Sequence, residues 1–299
     1  MCSRRSLADS GPHSPARKAA QVTIPWAEQI GARLPPLLVE AERVAATVMP
    51  GVHGRRRAGP GEAFWQFRPY VAGDQRIDWR QSAKSDRLFV RETEWEAAQT
   101  VALWCASGPG MAWRSTPNLP AKSLRATLLL LALSSLLLRG GERVRLFGLP
   151  RPYAGRNALP ALAEGLGQMA AEPVDVRLAR HARAVLIGDF WAPLEETRRT
   201  IGLLAQQGVR GHMLQVTDPA EETLPYTGRI RFEEVTGSAL AALVPRVESV
   251  REIYTERVAR HRAGLAGLAQ AAGWSFAIHH TDQPPEAALM ALHQILAPA

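Results

Sequence analysis

Arg68, Asp74, Arg76 and Asp78 alternate in sign within eleven residues, with Tyr70, Gly73 and Trp79 interleaved. Guanidinium forks match carboxylates in bidentate geometry. These four charges are therefore expected to form one ion-pair network, with Tyr70 and Trp79 shielding it from water. Such a network either fixes a loop or presents a recognition surface. A second group of chemically able side chains comprises Cys105, Ser107, Asn157, Asp189, Asp218 and Glu221, most of them at or just beyond the end of a short apolar run. Cys105 with His279 or His280 would supply a thiol and a base for nucleophilic catalysis. No nucleophile motif surrounds Cys105, however, and a cysteine closing an apolar run is ordinarily an inert small hydrophobe. The chain also lacks a P-loop, a dinucleotide glycine pattern, zinc-ligand spacing and a Gly-x-Ser-x-Gly elbow. The expectation is a protein that is not an enzyme.

Alternating strands and helices must position these residues. Apolar runs at Thr100–Cys105, Arg143–Phe147, Arg183–Phe190, Val209–Val216 and Trp274–His279 read as strands. Helical spacing is predicted over Ile30–Val48, Lys122–Arg139, Leu159–Met169, Leu194–Gln207, Ser238–Ala272 and Pro285–Leu296, with Pro245 breaking or kinking the fifth of these. Short strands are expected near Ile230 and Phe232. This order calls for an α/β fold with a mostly parallel, Rossmann-type sheet and helices on both faces. Ligand-facing groups then gather at the carboxyl ends of the strands. Cys105, Ser107, Asp189 and Asp218 thus become a candidate rim.

The 299 residues, 46% of them hydrophobic, suffice for a sizeable core. Of the net charge of +8, five charges come from residues 1–57, which hold nine Lys/Arg against four Asp/Glu. That basic segment suits a solvated arm, or contact with a polyanion or anionic membrane surface, better than sequence-specific nucleic-acid recognition. Arg55-Arg56-Arg57 reads as a solvated turn. Two widely separated cysteines fit a reducing compartment. No signal peptide is visible, and the longest uncharged apolar run, Ala126–Leu138, is too short to span a bilayer. A cytoplasmic protein is expected. It divides into a basic arm (1–35), an N-terminal helix with the charged-aromatic block (36–97) and an α/β domain (98–299).

The block from Gly59 to Glu92 also carries a resemblance. Gly59, Gly61, Glu62, Phe64, Arg68, Tyr70, Gly73, Asp74, Arg76, Ile77, Asp78, Trp79, Ser82, Ala83, Lys84, Leu88, Val90, Arg91 and Glu92 resemble the signature of the bacterial family of unknown function 58, as does Asp218-Pro219 followed by Glu221 and Leu224-Pro225. The resemblance implies a von Willebrand A-like fold with a family-specific N-terminal segment. It implies a Mg²⁺ site on the rim built from an Asp-x-Ser-x-Ser turn, a Thr and a later Asp. It also implies a MoxR-type AAA+ ATPase as protein partner, in chaperone-like maturation. This chain departs from the metal pattern. Cys105 stands where the first Asp is expected, and a soft thiol argues against a hard cation. Ser107, Asn157 and Asp189 are the remaining candidate ligands. The reading is a degenerate metal-ion-dependent adhesion site, no cofactor and a protein-binding role. A metal-dependent binder and a polyanion or membrane-surface binder are the alternatives.

Overall fold

The computed structural model describes residues 33–48, 55–59, 63–71, 77–84, 87–97, 99–173, 178–179, 182–233 and 241–296. The first element is helix α1 (Leu34–Thr47). Pro35 and Pro36 fall in its first turn, where their missing amides cost no intrahelical bond. They therefore start the helix rather than interrupt it. Strands β1 (Arg55–Gly59), β2 (Ala63–Pro69) and β3 (Phe89–Ala97) form an antiparallel sheet in the order β1-β3-β2. Arg55–Arg57 are thus strand residues paired with Trp95–Ala97, not a turn. The one-turn helix α2 (Trp79–Ser82) lies between β2 and β3.

The main sheet contains β4 (Thr100–Cys105), β5 (Arg143–Leu146), β6 (Tyr153–Ala154), β7 (Arg183–Gly188), β8 (Arg210–Thr217) and β11 (Ser275–His280), in the order β11-β8-β7-β4-β5-β6. All neighbours are parallel except the short edge strand β6. The connecting helices are α3 (Lys122–Arg139), α4 (Leu159–Gly165), α5 (Leu194–Gln206), α6 (Pro219–Thr223), α7 (Arg251–Ala271) and α8 (Pro285–Leu296). The two-residue period of a strand divides the core cleanly. Val101, Leu103, Cys105, Val185 and Ile187 face one layer with residues of α1, α3, α4 and α8. Ala102, Trp104, Ala184 and Leu186 face the other, with Ile201 and Leu204 of α5 and Leu265 and Ala269 of α7. Helix α3 is buried on every side because α1 and α8 cover the face that it turns away from the sheet. This explains its unbroken Leu128–Leu138 run, and no helix among the described residues is long and apolar enough to cross a membrane.

The helix predicted over Ser238–Ala272 is overturned in its first third. Residues Ala241–Val244 form strand β10, paired antiparallel with β9 (Ile230–Glu233), and the helix begins only at Arg251. Pro245 is the physical reason: it pushes the preceding residue out of the helical region and offers no amide to the next turn. Helix α1 begins at Leu34, and its Leu37, Ala41, Val44 and Ala45 are core residues, so a truncation meant to remove only basic charge must end before Arg33.

Close packing between β8 and β11 sets one measurable constraint. A Cβ added at Gly211 would sit 2.3 Å from the ring of Trp274. That ring is buried, and its Nε1 donates to the carbonyl of Val209 at 3.1 Å. Gly211→Ala is expected to cost about 1–3 kcal/mol through overpacking. Urea unfolding measures this, and an unchanged midpoint would show that the Trp274 ring can move aside.

Candidate functional site

At the carboxyl ends of β7 and β8 a fully buried charge is held between two acids. Lys122, the first residue of α3, is 1% exposed. Its Nζ donates to Asp189 Oδ2 at 3.0 Å and to Glu221 Oε1 at 2.5 Å. A lysine at a helix N-terminus faces the positive end of the macrodipole, and burying an ammonium costs several kcal/mol unless it is closely paired. Two carboxylates offset both penalties. Asp189 lies one residue past β7, and Glu221 sits on α6 just after β8. The sequence reading missed Lys122. The signal that exposes it is a cation opening the most apolar helix, where electrostatics alone would place an acid.

The acids are themselves fixed. Asp218 is completely buried and caps α6: Oδ1 accepts from the Ala220 amide at 2.9 Å and Oδ2 from the Ser115 amide at 2.8 Å. Glu221 Oε2 accepts from the Asp218 amide at 3.0 Å, completing a capping box. Glu222, the next residue, pairs instead with Arg262 Nη1 at 2.5 Å and with His280 Nε2. The hydrogen bond from Arg262 is the main cause that holds the Glu222 carboxyl below its ordinary range, with His280 acting in the same direction. Arg262 Nε also reaches Gln215 Oε1 at 3.3 Å, and Gln215 Nε2 donates to the Asp189 carbonyl at 2.8 Å. Phe190 follows Asp189 with φ of 50°, a left-handed conformation that costs a non-glycine residue about 1–2 kcal/mol. Its carbonyl accepts from His261 Nε2 at 2.7 Å.

The structure therefore brings Asp189, Asp218 and Glu221 together, with Lys122 as an unforeseen fourth member. Cys105 ends β4 on the same rim, but burial pushes its thiol up to about 12, so it stays protonated at neutral pH. His279 and His280 belong to β11, three strands away in the sheet order, and do not serve Cys105 as a base. Ser107 follows β4 half-buried. Asn157 does not join the rim. Ala154 of β6 pairs with Arg143 at the start of β5, so the turn after β6 lies at the opposite end of the sheet, with Asn157 exposed. The antiparallel direction of β6 decides this, and a reading built on parallel strands alone could not see it.

The donor set does not fit Mg²⁺. Of the three proposed ligands Asn157 is at the wrong end, and Asp189 Oδ2 is engaged by an ammonium. Both oxygens of Asp218 serve backbone amides. Among the described residues no group of three or more His, Cys, Asp or Glu is placed to hold a metal ion.

In the charged-aromatic block, Gly73, Asp74 and Arg76 lie outside the described residues, as does the side chain of Arg68. Asp78 is a helix cap: its Oδ1 accepts from the Gln81 amide at 2.9 Å. Ser82 Oγ donates to the Asp78 carbonyl at 2.7 Å and accepts from the Phe89 amide at 2.8 Å, tying α2 to β3. Trp79 is 68% exposed and Tyr70 37%, and the charge network that they are expected to shield lies largely outside the described residues.

Asp218→Ala removes two charge-assisted amide bonds and is expected to cost about 2–4 kcal/mol. Urea unfolding reads the loss, and hydrogen exchange at the Ser115 amide should accelerate with it. Acid sensitivity follows from two histidines. Burial lowers His212 and His279 from 6.5 to about 4. Both stay neutral in the fold but protonate in the unfolded chain, so stability falls as pH drops from about 6.5 toward 4, with about two protons taken up on unfolding near pH 5. The Glu222 contribution is present above the ordinary carboxylate range and is lost only at lower pH. Unfolding free energies that are flat between pH 7 and pH 5 would contradict the burial of both imidazoles.

No curated protein matches this chain. Among solved structures, the crystal structure of the conserved hypothetical protein BatB from Bacteroides thetaiotaomicron is similar at 11% identity, with a TM-score of 0.36, covering 66% of this chain and 96% of that one. The family model described as "Protein of unknown function DUF58" matches residues 66–264, well over half the chain. The protein with this lysine-centred rim is a member of the DUF58 family.

Proposed function

We propose that this protein is a non-enzymatic, cytoplasmic protein–protein interaction module of von Willebrand A-like type, acting with a MoxR-type AAA+ ATPase in chaperone-like maturation. The observation that supports this best is a set of exposed apolar residues where the small sheet adjoins α2. Tyr70 and Leu88 are neighbours through the Tyr70 amide, which donates to the Leu88 carbonyl at 2.8 Å. Asp78, which precedes Trp79, bonds to Phe89 in the same way. Trp79, Val71, Leu88 and Tyr70 are respectively 68, 63, 43 and 37% exposed. Arg80 and Lys84 flank them, also exposed. Aromatic side chains with a cationic rim are the composition of a docking surface, in which one or two aromatic anchors carry most of the affinity. The rim adds a negative argument. Its acids and its lysine are engaged with one another, and its thiol is sealed, so no group there is poised to attack a substrate.

Crosslinking and affinity capture with the tagged full chain should recover an AAA+ ATPase. Trp79→Ala should reduce recovery by about tenfold or more without lowering the melting temperature, because the ring is a surface anchor. Capture of no ATPase, or capture indifferent to Trp79, would overturn the reading.

A further inference from the structure

Lys122 occupies the place where a cation would act in a sheet of this kind. Ligands of open parallel sheets bind beyond the carboxyl ends of the strands. Lys122 Nζ lies there, between the residue after β7 and the helix after β8. The loop after β4 closes in from the third side: a Cβ added at Gly110 would sit 3.0 Å from Asp189 Oδ2. A hard divalent ion would seek these same carboxylate oxygens. We propose that Lys122 is the resident cation of this rim, an ammonium tethered by α3 that substitutes for a metal ion and keeps the site assembled without one. The proposal deepens the interaction-module reading but does not require it, since metal binding is measured without any partner.

Three observations carry the argument. First, the ammonium is enclosed: it bonds to Asp189 and Glu221 and is 1% exposed, so an incoming ligand finds no open approach to it as it would to a metal. Second, the segments that carry both acids are held independently of Lys122. Gln215 fixes the Asp189 backbone through its carbonyl, and the capping box fixes the Glu221 carboxylate through Oε2. Removing the lysine therefore leaves both acids on anchored backbone rather than on a collapsed loop. Third, an ion entering the intact site must displace the ammonium and strand it unpaired beneath the rim. That displacement suppresses ion binding by two or more powers of ten, the scale set by breaking a buried pair. The rim is accordingly insensitive to metal supply, and any partner that reads it does so without a bridging ion.

Manganese chloride is the probe, with calorimetry and thermal unfolding on the full chain after treatment with a chelator. The wild-type protein should show no saturable heat and no shift in melting temperature with Mn²⁺. Lys122→Ala should melt lower in chelator, regain stability as Mn²⁺ is added, and bind the ion at least about a hundredfold more tightly than wild type. Asp189→Asn in the Lys122→Ala background should abolish that gain. Saturable Mn²⁺ binding by wild type that Asp189→Asn removes would overturn the proposal, as would a folded Lys122→Ala protein indifferent to Mn²⁺. If Lys122→Ala does not fold, Lys122→Gln takes its place under the same criteria, and the wild-type titration decides by itself whether the rim accepts an ion. Failure of the partner capture would leave these outcomes untouched, so the two readings fail separately.

Discussion

An ammonium with no access to water needs its counter-charges at fixed distance, and that need organises the carboxyl-end rim of the main sheet. Lys122 reaches Asp189 and Glu221 from the first residue of α3. Three elements far apart in sequence are thereby brought to one point: the helix after β4, the turn after β7 and the helix after β8. Buried ion pairs of this kind add little net stability compared with an apolar filling, but losing one member is costly. An arrangement that separated the pair would leave a buried charge unpaired.

Helix α6 shows how few residues carry the layout. Its neighbouring acids point to different partners, Glu221 to Lys122 and Glu222 to Arg262 and His280. Tyr254 of α7 adds a third tie, its hydroxyl donating to the Glu221 carbonyl at 2.5 Å. Arg251 holds the chain beyond α6 through the carbonyls of Leu224 and Tyr226. The long helix α7 thus anchors the acidic turn from one side while α3 supplies its counter-charge from the other. Phe190, in its left-handed conformation, lies within this cage, its carbonyl held by His261. Local strain there is tolerated because surrounding bonds over-determine the turn.

The small antiparallel sheet follows a different logic. Near α2, Trp79, Tyr70 and Leu88 are exposed whereas Ser82 and Val90 are buried, and Asp78 and Ser82 spend their polar groups on capping and on tying α2 to β3. The family signature in this stretch is therefore, in part, a recipe for a short capped turn that displays Trp79. The rim is closed upon itself, whereas this surface is open.

The sequence by itself determined the α/β class, the positions of the five parallel strands along the chain and the boundaries of α3 within a residue, because apolar period and glycine or proline punctuation are local signals. It also placed Asp189 and Asp218 at carboxyl ends of strands, which coincide in a parallel sheet. Only tertiary structure decided the rest. Strand β10 formed where helical spacing was read, because Pro245 and the partner strand β9 outweighed periodicity. Asn157 left the rim because β6 runs backwards, a fact of pairing rather than of composition. Lys122 became the centre because α3 lies in a sheet layer that points its first residue between two acids. That choice depends on contacts across 67 and 99 residues of chain, and no local pattern encodes a distance of that kind.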